Sequence, residues 1–182
     1  MLELISIQVL PGTQGNRMSK PQIRKAQLGD EEGIHKSHMR SIREVCSEHH
    51  TPDEIRGWGN RELGERWTNA IKEGHVWVVE LEGTIQGHGF LRIKDVNGEK
   101  HGFIHGLYLT PEILNQGIGA KIMGLMLDKA KTEKVKTLTL ESTITAHEFY
   151  KRHGFQDQGE MIKHTVNGSE VRCFPMIYRD PI

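Results

Sequence analysis

The chain has 182 residues, enough for one domain with a single substantial core. Its 24 basic and 24 acidic residues cancel, and no Lys/Arg stripe carries interleaved aromatics, so nothing draws nucleic acid to it. No apolar run approaches the length of a membrane span, which sets membrane partners aside.

Two cysteines far apart, Cys46 and Cys173, make no disulfide framework, so a reduced cytoplasmic protein is expected. The 11 histidines are scattered without the spacing of a metal site. His49 and His50 are adjacent and would point to different faces of a helix, so no metal is expected.

Leu2 to Leu10 could form a short strand, but Pro11 to Asn16 reads as loop. There is no cationic leader with a small-residue cleavage pattern, so no secretory signal is expected. Residues 1–19 are read as a peripheral extension, with Met18 as an alternative start, and 20–182 as one domain.

Pro21 to Gln27 is the first predicted strand. Asp30 is placed as an N-cap with Glu31 and Glu32 in the first turn, and the helix carries Ile34, Met39, Ile42, Val45 and Cys46 on one side. Thr51-Pro52-Asp53-Glu54 ends it and caps a second short helix, with Pro52 at the first helical position. Trp58 and Trp67 follow among glycines, as core residues or as part of a binding wall. His75 to Leu81 is a strand, Glu82-Gly83 its turn, and Thr84 to Lys94 its partner. Gly87-His88-Gly89 suggests a bulge or a close backbone contact. Val96-Asn97-Gly98-Glu99 turns the chain into a central strand, Lys100 to Leu109.

The central strand runs into Leu107-Tyr108-Leu109-Thr110-Pro111-Glu112-Ile113-Leu114-Asn115-Gln116-Gly117-Ile118-Gly119-Ala120. Ile118, Ile122, Met123, Met126, Leu127 and Ala130 then share one face of a helix reaching about Lys131. Glycines in a first turn cost helix propensity, a cost tolerated where a ligand approaches the backbone. The unpaired amides of such a turn suit phosphate oxygens. Lys136 to Glu141 is a further strand, Thr145 to His153 a helix, and Phe155 to Thr165 with Glu170 to Tyr178 a closing hairpin turned at Val166-Asn167-Gly168-Ser169.

The glycine loop resembles the acetyl-CoA motif of the GNAT superfamily of N-acetyltransferases, Gln/Arg-x-x-Gly-x-Gly/Ala, on Leu114 to Gly119, with Leu114 in place of the Gln/Arg. About 25 residues on, Thr143-Ile144-Thr145-Ala146-His147-Glu148-Phe149-Tyr150-Lys151-Arg152-His153-Gly154-Phe155 is similar to the family's Asn-x-x-Ala-x-x-x-Tyr-x-x-x-Gly-Phe, with Thr143 for Asn. The resemblance spans roughly Gln22 to Tyr178. It implies an α/β (α+β) fold: a mixed, mostly antiparallel sheet of about six to seven strands flanked by helices, with a splayed V-shaped cofactor cleft.

By the same resemblance Leu107, Tyr108 and Leu109 offer main-chain groups to the pantetheine arm of acetyl-CoA. Asn115, Gln116, Gly117, Ile118, Gly119 and Ala120 take the pyrophosphate, and Thr143 and Ala146 complete the cofactor side. Tyr150 returns a proton to the thiolate. The base is less defined: His105 matches a histidine of the family's arylalkylamine branch, and Glu141 ends the neighbouring strand. Residues 101, 103, 105 and 107 are read as sharing one strand face. The expected activity is N-acetylation of a primary amine of a small molecule or peptide.

The alternative is a non-catalytic acyl-CoA-binding or regulatory module. A Rossmann domain lacks its third glycine and would place the loop after the first strand, and a P-loop lacks Gly-Lys-Ser/Thr. Glu48, Asp53 and Glu54 either meet a cationic acceptor or form a solvated helix face, and Phe174 and Tyr178 either close the acceptor side or meet a second copy in a homodimer.

Overall fold

The computed structural model describes residues 19–178. The reading of the N-terminal extension therefore falls outside the described residues, save Ser19. In order come β1 (Gln22–Lys25), α1 (Glu31–Glu44), α2 (Pro52–Trp58), α3 (Arg66–Lys72), β2 (Val76–Leu81), β3 (Thr84–Val96) and β4 (Glu99–Leu109). Then follow α4 (Ile118–Thr132), β5 (Thr137–Thr143), α5 (His147–Arg152), β6 (Phe155–Asp157), β7 (Ile162–Val166) and β8 (Ser169–Tyr178). No helix among the described residues is long and apolar enough to cross a membrane.

One sheet runs β1-β2-β3-β4-β5-β8-β6, with β7 also paired to β8. Every pairing is antiparallel except β4 with β5. Seven strands lie along the sheet, as expected, and β7 is an eighth paired to β8 alone, because the predicted strand Phe155 to Thr165 breaks in two. Pro175 on β8 has no N–H to continue the ladder there, and the Gln158 N–H closes on the Pro175 carbonyl at 2.8 Å before the chain loops out through Gly159.

The helix starts follow local chemistry. Thr51 forms a full capping box: its Oγ1 accepts from the Glu54 N–H at 3.3 Å, and Glu54 Oε2 accepts from the Thr51 N–H at 2.7 Å. Asp30 does stand at the start of α1, but its carboxylate does not cap the helix. It accepts from the Arg24 guanidinium at 2.7 and 2.9 Å and from the Gln27 N–H at 2.8 Å, tying β1 to the helix entrance.

Each face of the sheet has its own core. One carries α4 and α5, with Ile122, Met123 and Met126 wholly buried beside Leu91, Ile104 and Leu138. Burial of each such side chain stabilises by about 1.5–3 kcal/mol, which overrides the weak propensity of the glycine-rich first turn. The other face carries α1, α2 and α3, packing Ile34 and Trp67 on Phe90, and Met39, Ile42 and Trp58 on Val171. Trp58 and Trp67 are both core residues, 5% and 2% exposed.

The Gly-His-Gly stretch of β3 is a close backbone contact. A Cβ on Gly89 would lie 2.3 Å from Ile122 Cγ2, so α4 sits this near the sheet only because the residue is glycine. Gly89→Ala should force α4 outward and cost about 1–3 kcal/mol, read as a lower urea midpoint with an unchanged slope.

Candidate active site

The site begins where β4 leaves β5. The parallel ladder joins His101–Ile104 to Thr137–Leu140 and goes no further. Beyond it β4 pairs with β3 alone, with Phe90 opposite Gly106 and Leu91 opposite Ile104, so His105 is the extra residue of a bulge. A Cβ on Gly106 would stand 2.4 Å from the Tyr108 ring, so this bulge needs glycine. Thr110 donates its N–H to the Gln86 carbonyl at 2.8 Å and so faces β3. By alternation Tyr108 also turns its main chain to β3, and the main-chain groups of Leu107 and Leu109 point to the open edge. Of the three residues expected to meet an extended ligand through the backbone, two are placed to do so; Tyr108 contributes its side chain instead.

A cavity of about 260 Å³ occupies the gap between the parted strands. Leu107, Tyr108, Leu109, Asn115, Gly119, Thr143, Ala146 and Tyr150 line it, bringing together residues of both sequence motifs. Gln116, Gly117, Ile118 and Ala120 are outside the lining, in the loop and first turn at its end. Gly117 is the N-cap of α4 at φ +73, and no side chain caps the helix, so its first amides stay free for a ligand. Gln116 steadies the loop by donating Nε2–H to the Glu112 carbonyl at 2.8 Å. Thr143, where the family has Asn, accepts the Ala146 N–H on Oγ1 at 3.2 Å and holds the turn into α5.

Tyr150 is 4% exposed and packs edge-on to Phe149 and Phe155. Its hydroxyl has no hydrogen-bond partner among the described residues. Burial, with Tyr108 adding, raises its pKa well above the ordinary phenol value, so it stands protonated at neutral pH. Cys46 of the turn after α1 also lines the cavity, and burial pushes its thiol up to about 12. It is no nucleophile at neutral pH.

His105 lies outside the cavity lining, stacked on Phe90 at 4.7 Å and edge-on to Phe103. The bulge puts it on the α1–α3 face while Leu107 packs with the α4 core, so 105 and 107 do not share a face as simple alternation predicted. Burial, aided by Arg92 and Arg66, lowers its pKa to about 4. Glu141 does line the cavity and is held by His164 Nε2 at 2.9 Å. Ligand atoms of Glu141, His164 and Cys173 lie within 4.8 Å of one another.

Ser41, Val45, Phe149 and Arg152 line the cavity too, and the sequence did not point to them. Arg152 lies inside the second motif, at a position to which the motif's pattern gives no role. Ser41 and Val45 gave no signal, since only packing of α1 across the sheet brings them there. Glu54 is neither solvated nor free for an acceptor: at 3% exposure it is bound by Arg172. Phe174, half-buried, stacks on the His147 ring at 4.1 Å.

The pattern of the acetyltransferase (GNAT) family matches residues 38–155, and the chain belongs to that family. It is an acetyl-CoA-dependent N-acetyltransferase. It is 28% identical over 157 residues to the uncharacterized N-acetyltransferase YafP of Escherichia coli (strain K12), covering 86% of this chain and 89% of the relative. Among solved structures it resembles a GCN5-related N-acetyltransferase of Rhodopseudomonas palustris, with a TM-score of 0.71 at 16% identity over 88% of this chain and 96% of that one. It also resembles the PaiA N-acetyltransferase of Thermoplasma acidophilum in complex with coenzyme A, with a TM-score of 0.67 at 18% identity over 88% and 99% of the two chains. These likenesses are of fold.

Proposed function

We propose that the chain transfers the acetyl group of acetyl-CoA to a primary amine of a small molecule or peptide by direct attack on the thioester. The observation that carries this reading is the unpartnered phenol of Tyr150 in a cavity bounded by the open edge of β4. The pantetheine arm pairs with the main chain of Leu107 and Leu109, as an added strand would. An edge N–H there meets the developing oxyanion, a contribution typically worth about 3 kcal/mol. The first amides of α4, from Gly117 to Ala120, take the pyrophosphate, with Asn115 and Gln116 shaping the loop and Arg152 adding a positive charge beside the cavity.

The incoming amine attacks the carbonyl carbon, the C–S bond breaks, and Tyr150 gives its proton to the departing thiolate. The proton lost by the amine passes to Glu141 through water, and His164 holds that carboxylate in place. His105, with its proton affinity lowered and its ring wedged against Phe90, is a packing residue in this reading. Because Cys46 stays protonated, no acyl-enzyme precedes the transfer. The two unpaired, buried cysteines suit a cytoplasmic setting.

Thiol release from acetyl-CoA, followed with a panel of amines, tests the reading. At least one amine should accelerate release in proportion to acetylated product. Binding of coenzyme A by calorimetry with no acceleration by any amine would favour a non-catalytic acyl-CoA module instead.

A further inference from the structure

Glu141, His164 and Cys173 meet at the wall of the acetyl-transfer cavity, which Glu141 lines. The sheet register brings them together from three neighbouring strands. Cys173 on β8 stands opposite Thr143 of β5 on one side and Ile162 of β7 on the other. Directly paired residues share a face of a sheet, and so do residues two apart on one strand. Glu141 is two from Thr143 and His164 two from Ile162, so all three side chains leave the same face. One ligand atom of each lies within 4.8 Å of the other two, and among the described residues this is the one such group of His, Cys, Asp and Glu. Motif spacing gave no sign of it, because the three positions are joined by strand pairing and not by proximity in the chain.

The donor set is selective. A thiolate, an imidazole and a carboxylate are ligands of a zinc-class ion, whereas magnesium and calcium take oxygen alone. Thiolate and carboxylate carry one negative charge each and the imidazole none, which balances a dication. With bonds of about 2.0–2.3 Å, tetrahedral ligand atoms stand about 3.5 Å apart, so these three close round an ion with shifts of about 1 Å. Glu141 Oε2 and His164 Nε2 are already 2.9 Å apart. Cys173, 6% exposed and without a disulfide partner, forms the floor of the site. Glu141 and His164, with 38% and 50% of their side chains exposed, leave a way in from solvent.

We infer that Glu141, His164 and Cys173 bind a zinc-class dication, with water in the fourth position, and that its binding shuts down acetyl transfer. Burial, with Glu141 adding, pushes the Cys173 thiol up to about 11, so without the metal it is protonated. On binding, a sulfur–metal bond replaces the S–H bond, and that proton leaves to water. A ligating imidazole is neutral and keeps its single proton on the nitrogen that the ion does not take. The lone pairs of Glu141 then go to the ion instead of to the acceptor's proton. The inhibition rests on the reading above that Glu141 takes that proton; the site does not.

The test starts from protein freed of metal by a chelator, titrated by calorimetry with zinc and, as an optical stand-in, with cobalt(II). One ion per chain should bind, and cobalt should show a thiolate charge-transfer band and the visible bands of a four-coordinate ion. Zinc should also raise the melting temperature, because it ties β5, β7 and β8 together in the folded state alone. Magnesium and calcium should do neither. Thiol release with an accepted amine should fall by about 10²-fold or more at saturating zinc and return with chelator. Cys173→Ala should weaken binding by more than about 100-fold, erase the cobalt thiolate band and lose the inhibition relative to its own metal-free rate. His164→Gln, at an exposed position where the fold tolerates change, should weaken binding likewise. Zinc binding that is absent, or undiminished in both variants, would overturn the site. Inhibition equally strong in Cys173→Ala would place the inhibiting ion elsewhere and overturn it too. Saturation with turnover untouched would uphold the site and remove Glu141 from the proton path. Thiol release with no acceptor of any kind would defeat the acetyl-transfer reading without touching the calorimetric result.

Discussion

Tyr150→Phe is expected to lower kcat by about 10²–10⁴-fold, the usual contribution of a positioned general acid, with acetyl-CoA affinity changed only a few-fold. The phenyl ring keeps the packing against Phe149 and Phe155, so the core around α5 is retained. The hydroxyl has no partner among the described residues, so its removal orphans no buried group there. A loss confined to turnover is therefore diagnostic of proton delivery. The pH profile adds a second check. Burial raises the phenol above its ordinary value, so the acid form persists through the neutral range, and no alkaline decline assignable to Tyr150 should appear below about pH 10. Retention of more than a tenth of kcat in Tyr150→Phe would remove the tyrosine from the chemistry.

Much of this site could be read from the chain because it is built from local signals. Glu82-Gly83, Asn97-Gly98 and Asn167-Gly168 each predict a tight hairpin, and all six residues do adopt positive φ. The two glycines at the start of α4 and the Ala146-to-Phe155 run are contiguous motifs, and the fold brings both to one cavity. The bulge at His105 was not legible: alternation counts residues along one strand, whereas a bulge is decided by the partner strand. Here the partner is β3, whose Phe90 and Leu91 face Gly106 and Ile104, and that displacement moves His105 away from the cavity. Pairings across long separations were also hidden. The carboxylate of Glu54 meets the guanidinium of Arg172, 118 residues away, and nothing in the local pattern at either end announces it. Arg61 and His38 are hidden in the same way, 23 residues apart in the chain and 3.1 Å apart in the folded protein.

The Glu54 network should be the most costly polar element to break. Its carboxylate accepts from Arg172 Nη2 at 2.9 Å, Arg172 Nε at 3.0 Å, the Arg172 N–H at 3.0 Å and the Thr51 N–H at 2.7 Å. His50, its pKa lowered by burial and so neutral, donates from Nδ1 at 3.2 Å. One side chain thus caps α2, fixes it on β8 and balances a cation. Glu54→Ala leaves all these donors without an acceptor. Breaking a buried pair costs about 3–5 kcal/mol, and the low end applies because Arg172 keeps some contact with water, 32% of its side chain being exposed. For a chain of this size the melting temperature should fall by on the order of 10 °C. The pH dependence has a definite sign. Hydrogen bonds from Arg172 hold the Glu54 carboxyl well below the usual carboxylate range. Its stabilisation is therefore fully present above the unfolded-state value near pH 4.3 and is lost as the pH falls below it. The stability gap between the unmutated protein and Glu54→Ala should stay constant from about pH 6 to 8 and narrow below about pH 4. A Glu54→Ala protein within about 1 kcal/mol of the unmutated one at pH 7, by urea unfolding, would show that α2 is held on β8 by its apolar contacts alone.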